Sequence, residues 1–188
     1  SQLSVEYSDC VIMLIDADKG LSQQDKKIIS LILEKKKNMI VFVNKWDLTE
    51  KTDKFRKEFE QLIIRDLPLL AFFPILFGSA KDRHHIGQLL DKIPEVIKSG
   101  NHRVQTSELN QFVDQVIKRN PPTSQFGQRV KVLYGTQADV SPPTFIFFVN
   151  QARKVSLEYY RFVEKRIRLY LGGFVGNSIV IRFKSRNP

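Results

Sequence analysis

Three uninterrupted apolar runs, each stopping at a polar cluster, constrain this chain more than any other feature. They are Cys10-Val-Ile-Met-Leu-Ile15, Met39-Ile-Val-Phe-Val43 and Phe72-Phe-Pro-Ile-Leu-Phe77. A strand with one wet face alternates apolar and polar residues. A run without alternation suits a strand covered on both faces, as in a parallel sheet. Amphipathic stretches separate the runs. After the first, Ser22-Gln-Gln-Asp25 has the character of a helix N-cap, and Ile28, Ile29, Leu31, Ile32 and Leu33 follow. That helix is expected to end at Lys35-Lys36-Lys37, where cations suit the C-terminal dipole. After the second, Lys51 to Arg65 carries Phe55, Phe59, Leu62 and Ile63 on a helical stripe. After the third, Ile86 to Lys98 carries Leu89, Leu90, Ile93 and Ile97. Strand and helix thus alternate three times, which predicts right-handed crossovers and a parallel α/β sheet. Pro74 cannot donate to a ladder and places the third run at an edge or a strand start.

Charge divides the chain in two. Residues 1–100 hold sixteen Lys and Arg against fifteen Asp and Glu, whereas residues 101–188 hold fourteen against five. The first unit is nearly neutral and the second is basic enough to favour a polyanion, nucleic acid foremost. An ordinary basic domain is the plainer alternative. Mean hydropathy is −0.24, and no apolar run approaches the roughly 20 residues of a membrane span. No membrane association is therefore expected. The first residues, Ser1 to Glu6, show neither a basic nor an apolar leader region, so no secretory signal is expected. Cys10 is the only cysteine, which excludes an intramolecular disulfide and points to a reducing compartment. One Cys and three His support no metal site.

In open α/β sheets ligands sit beyond the carboxyl ends of the strands. Asp16, Asn44, Asp47 and Ser79 all follow strand ends and are expected to share one rim. The Asp47 carboxylate can accept two hydrogen bonds. Guanine offers a ring N–H beside an exocyclic amine and fits it; adenine presents a ring acceptor there and is rejected. Buried polar partners left unpaired make such rejection strong. The Lys45 stem can lie over a ring face with its ammonium in water. Asn44 can brace neighbouring loops through its amide.

Asn44-Lys45-Trp46-Asp47 resembles the guanine-specificity motif (Asn-Lys-x-Asp) of the translation-factor-like GTPases. Gly78-Ser79-Ala80-Lys81, after the next strand, is similar to their second base-contact motif, Ser-Ala-Lys. One such motif is a weak signal; two, in order, each at a strand end, are a strong one. The resemblance implies a nucleotide-binding set of Asn44, Lys45, Asp47, Ser79, Ala80 and Lys81, with the Ala80 N–H meeting the guanine O6. Trp46 fills the variable slot, and its indole is expected beneath the loop rather than against ligand.

Beyond residue 100, Leu109 to Asn120-Pro121-Pro122 reads as a helix closed by prolines. Arg129 to Gln137 and Pro142 to Asn150 read as strands, Ser156 to Leu171 as a basic helix ended by Gly172-Gly173, and Ile179 to Phe183 as a last strand. The phrases "YGTQ", "SPPTFIFFVN" and "YYRFVEKRIR" in this α-β-β-α-β order resemble the C-terminal KH-like domain of the Der (EngA) family, double-GTPase factors of large ribosomal subunit assembly. The likeness runs through nearly the whole chain. It implies a partial P-loop-GTPase-type parallel sheet at 1–100, the guanine-recognition half, followed by an α+β KH-like domain at 101–188. It also implies GTP and GDP as ligands, and large-subunit rRNA and an N-terminal GTPase domain of the same polypeptide as partners. The compartment expected is cytoplasm, or an organelle stroma or matrix.

The sequence holds no G-x-x-x-x-G-K-[ST], no Asp-x-x-Gly motif and no switch threonine. This stretch is therefore expected to be part of a longer polypeptide and not to hydrolyse GTP by itself, since phosphoryl transfer needs those parts. Mg2+ is expected in the intact protein, on ligands outside this chain. A sheet without its first strands would expose apolar surface. KH domains grip RNA with a G-x-x-G loop between two helices. Gly173 to Gly176 matches the spacing but precedes the last strand, so it reads as a turn. RNA contact is then assigned to charge: Arg161, Lys165 and Arg168, spaced four and three apart, are expected on one helix face. The family's Gly-Thr-Pro at that turn is here Gly176-Asn177-Ser178, which predicts a looser turn. His84-His85 reads as a wet loop where the family often has glycine, Lys35 to Lys37 as a solvated helix end, and Tyr159, Tyr160 and the 144–149 phenylalanines as core. The competing readings are a nucleic-acid-binding module with a degenerate, nucleotide-free α/β half, and a different GTPase-family factor.

Overall fold

A computed structural model describes residues 2–49, 52–122 and 130–186. They form two compact units: the described residues up to 100 together with 175–178, and those of 101–174 together with 179–186.

The first unit carries a parallel sheet of β1 (Cys10–Asp16), β2 (Asn38–Asn44) and β3 (Ile75–Phe77), in that order. The central strand β2 is buried along Asn38 to Val43, the property its unbroken apolar run demands. A short helix, α1 (Gln2–Tyr7), precedes β1. Helix α2 (Gln23–Glu34) starts at a reciprocal cap: Ser22 Oγ accepts the Asp25 N–H at 3.1 Å, and Asp25 Oδ2 accepts the Ser22 N–H at 2.9 Å. Helix α3 (Asp53–Asp66) is capped by Thr52, and α4 (Ile86–Gly100) follows β3. Lys51, placed at the start of the third helix by its periodicity, lies outside the described residues. One side of the sheet packs Ile29, Ile32, Phe59 and Ile63 under Val41, Val43 and Phe77; the other packs Leu89 and Val96 under Ile40 and Phe42. On the edge strand β1, Ile12 and Leu14 are 37% and 54% exposed, the uncovered apolar surface expected.

The third run is shorter as a strand than its apolar stretch predicts. Pro68–Phe72 forms a 3-10 turn, and the Phe73 N–H bonds back to Leu70 O at 3.0 Å. Pro74 has no N–H, and its carbonyl accepts the Val41 N–H at 2.9 Å, so the ladder begins there.

The second unit has a mixed sheet in the order β4 (Val132–Asp139), β5 (Thr144–Val149) and β6 (Val180–Ser185). β4 runs antiparallel to β5, and β6 parallel to it. Arg129, assigned to the first of these strands from its pattern, lies outside the described residues. Helix α5 (Thr106–Phe112), prolonged by a π turn over Val113–Ile117, and α6 (Leu157–Tyr170) contribute to the core. There Phe112, Val113, Val163 and Ile167 meet Phe145, Phe147 and Phe183. A Cβ on Gly135 would come within 2.9 Å of the Phe147 ring and 3.4 Å of Val113, so this position in "YGTQ" keeps helix and sheet in close contact. Gly172 and Gly173, both at positive φ, end α6.

The turn at 175–178 is held tightly, against the looser turn expected without proline. Asn177 is buried, and its Nδ2 donates to Val96 O at 2.9 Å and Val175 O at 2.8 Å. Gly176 donates to Phe72 O and accepts from the Met39 N–H, both at 2.9 Å, and Ser178 Oγ donates to Lys37 O at 3.2 Å. Buried hydrogen bonds supply the order that a proline ring supplies elsewhere.

Candidate functional site

The parallel register fixes the rim. Asp16 pairs with Asn44 and Val43 with Phe77, so β1, β2 and β3 deliver their carboxyl ends to one edge. The turns beyond them are stitched together by backbone. Ala17 N–H bonds Asn44 O at 2.9 Å, Gly78 N–H bonds Val43 O at 3.0 Å, and Trp46 N–H bonds Gly78 O at 3.0 Å. Residues separated by up to 62 positions in sequence, Asp16 and Gly78, thereby share one lip.

Asn44 performs the bracing expected of it. Its Oδ1 accepts the Ala80 N–H at 2.9 Å, joining the loop after β2 to the loop after β3. The same N–H was assigned to a guanine O6, so a base would have to share or displace the Asn44 contact. Lys45 sits in the left-handed region at φ 61°, a conformation that turns the chain sharply out of β2 into the 3-10 turn Trp46–Leu48 holding Asp47. Its ammonium bonds Asp16 Oδ2 at 2.7 Å. This hydrogen bond holds the Asp16 carboxyl below its usual range, helped by the Asp18 N–H at 3.0 Å, and Asp16 in turn raises the Lys45 ammonium. The Lys45 stem is thus anchored at its far end. The Trp46 indole is buried, stacked on Phe55 at 5.4 Å and edge-on to Phe77 at 4.6 Å. It packs beneath the loop and locks the turn from below.

The second loop is shaped by residues that sequence motifs do not reveal. Ser79 is buried; its N–H bonds His84 O at 3.1 Å and its hydroxyl accepts the Asp82 N–H at 3.2 Å. Its hydroxyl therefore closes a turn. Ala80 and Lys81 are exposed at the tip. A Cβ on Gly78 would lie 2.4 Å from His84 O and 2.7 Å from the Phe42 ring, so only glycine fits. Arg83 and His85 both adopt positive φ, at 57° and 61°, where glycine would be at ease. His85 Nδ1 lies 2.8 Å from Phe77 O, which ties the loop back to β3. Both histidines are exposed. Among the described residues no group of three or more His, Cys, Asp or Glu could hold a metal ion, and no helix is long and apolar enough to cross a membrane.

The basic helix departs from its expectation. Arg161 and Lys165 on α6 are exposed, but Arg168 is only 7% exposed. Its Nη1 donates to Phe174 O and its Nη2 to Glu164 Oε1, each at 3.0 Å. Burial pulls this guanidinium down from its ordinary range, against the opposing effect of Glu164. Arg168 is corrected from a polyanion contact to a structural clasp of the turn that follows α6. Arg166 is the further exposed cation here, with its guanidinium 5.3 Å from the Phe162 ring centroid.

Two family models match. The elongation factor Tu GTP-binding domain covers residues 2–99, and the KH-domain-like C-terminal part of EngA bacterial GTPase enzymes covers residues 103–184. The chain is 42% identical over 176 residues to GTPase Der of Desulfitobacterium hafniense, covering 94% of this chain and 40% of that protein. It is 38% identical over 184 residues to GTPase Der of Staphylococcus carnosus, covering 98% and 42%. The chain thus spans about two fifths of the length of these curated relatives. A crystal structure of Aquifex aeolicus Era bound to GDP and AlF4 aligns over 98% of this chain and 68% of that one, with a TM-score of 0.44 at 17% identity, too distant to carry a functional argument.

Proposed function

The chain belongs to the Der (EngA) family of GTPases, and on that premise we propose that its first unit is the guanine-recognition half of a GTP-binding domain and its second an RNA-contacting module. The observation that carries the reading is the Asn44 Oδ1 to Ala80 N–H bond, which unites two base-contact motifs on one rim. In this reading the Asp47 carboxylate, whose Oδ1 is buried in this structure, turns outward to take the ring N–H and exocyclic amine of guanine, and the Ala80 amide shares its Asn44 contact with O6. Lys45, pinned by Asp16, covers the ring face. The Asp47 acceptors and the Ala80 donor together fit guanine and oppose adenine. The phosphates and Mg2+ would be held by residues outside this chain, and hydrolysis by the intact protein depends on them. The intact protein acts in this reading in large ribosomal subunit assembly, in the cytoplasm or an organelle stroma or matrix. The basic second unit meets rRNA phosphates through Arg161 and Lys165.

The test is a fluorescent-GDP titration of the full-length polypeptide carrying Asp47→Asn. An amide presents a donor where the carboxylate had an acceptor. Guanine affinity should fall by about a hundredfold or more, with xanthine nucleotide gaining relative to it. Wild-type protein that binds GTP no better than ATP would overturn the guanine reading and favour the nucleotide-free alternative.

A further inference from the structure

The helices of the second unit pack one face of its sheet; by register the other face carries three rows across the three strands, the last being Asp139, Thr144 and Val180. The mid-strand Ile146 and Thr144 are only 9% exposed. In one row Tyr134 pairs with Phe148, and Phe148 with Lys184. In the next Thr136 pairs with Ile146, and Ile146 with Arg182. The Tyr134 and Phe148 rings stack at 4.6 Å and 20°. Tyr134 is 36% exposed, and the Arg186 guanidinium lies 6.0 Å from its centroid. Arg182, Lys184 and Arg186 are all exposed, and neither of these two rows contains a carboxylate. Beside Tyr134 a groove of about 570 Å³ is lined by Lys118, Pro121, Lys131, Leu133 and Arg186.

We propose that this sheet face binds single-stranded RNA, with a base stacking on Tyr134 and the phosphates running past Arg182, Lys184 and Arg186. An exposed ring offers a platform to any base, because every base has a π face, and flanking cations follow the backbone. A duplex, whose bases are already stacked within it, offers a free face only at its two terminal base pairs and none along its length. Charge complementarity selects the occupant: Arg182, Lys184 and Arg186 stand against the single carboxylate of Asp139 in the row beyond, so the face attracts a polyanion. This surface is separate from Arg161 and Lys165 on α6. The identity of the polymer as RNA rests on the ribosomal reading above.

The test uses the full-length polypeptide, a fluorescein-labelled single-stranded oligoadenylate and a blunt RNA duplex. Tyr134→Ala should weaken single-strand binding by about tenfold, Tyr134→Phe should stay within about twofold of wild type, and GDP affinity should be unchanged in both. Lys184→Gln should lower the log–log salt slope by roughly 0.7. The inference is overturned if Tyr134→Ala binds like wild type, if the duplex binds as tightly as the single strand, or if the wild-type protein ignores the oligonucleotide because another part of the polypeptide covers the face. Co-sedimentation with ribosomal particles separates the two readings. Wild-type protein that sediments while Tyr134→Ala keeps its oligonucleotide sinks this surface and leaves the ribosomal reading standing; the reverse pattern sinks the ribosomal reading and leaves the surface.

Discussion

Gly78 occupies a point where three constraints meet. Its N–H and C=O bond Val43 and Trp46, and its α-carbon faces His84 O and the Phe42 ring without room for a methyl. Gly78→Ala should cost roughly 1–3 kcal/mol, the usual range for overpacking a filled site. It should also weaken fluorescent-GDP binding, since Ser79 and Ala80 hang from the displaced backbone. Urea unfolding beside nucleotide titration checks both effects; unchanged values in each would show that the loop relaxes around the methyl. Arg168 teaches the opposite lesson. Its type and spacing advertise a surface cation, yet it is buried against Glu164 and the Phe174 carbonyl. A buried cation holding a backbone carbonyl serves stability, and a charge-reversing change there would disturb folding before it reported on any ligand.

At the scale of elements, the rim depends on β1 and β2 ending together. Asp16 and Lys45 join those ends through a hydrogen-bonded ion pair at 2.7 Å. Because that pair depresses the Asp16 carboxyl, the folded state holds its charge below the ordinary value of about 3.9. The contribution is complete above that unfolded value and fades as pH falls through the lower folded one. Acid unfolding of wild type and Asp16→Asn should therefore converge below about pH 4, with wild type the more stable near neutrality. Parallel acid limbs for the two proteins would show that the pair contributes nothing. The α2 cap, the β2 core run and the glycine stop of α6 were legible in the sequence because each is a local preference acting over a few residues. The truncation of β3 was half legible: Pro74 announced an edge, but the 3-10 turn at Pro68–Phe72 depends on Leu70 finding a buried site.

Across the whole molecule, charge is segregated while the fold is not divided cleanly by sequence position. Nearly all the net positive charge lies beyond residue 100, yet residues 175–178 belong to the first unit. If the second unit meets rRNA phosphates through α6, Arg161→Glu with Lys165→Glu should weaken binding to ribosomal particles. It should also lower the salt dependence, each phosphate contact contributing roughly 0.7–0.9 to the log–log slope. An unchanged slope would remove α6 from the interface. The two-unit pattern and the candidate base-contact residues could be read beforehand, since apolar periodicity and strand-end motifs are written in short range. The membership of 175–178, the stacked Tyr134 and Phe148 and the burial of Arg168 could not, because each depends on what distant strands bring alongside.

The amino-acid sequence alone determined the alternating α/β pattern, the placing of polar residues at strand ends and the basic character of the second half. Those follow from side-chain periodicity, capping chemistry and composition, which need no long-range contact. Only the tertiary structure decided that Asn44 clasps Ala80, that Lys45 is tied to Asp16 and that Arg168 faces inward. A hydrogen bond or a burial is a property of a pair, and the second member is chosen by chain topology.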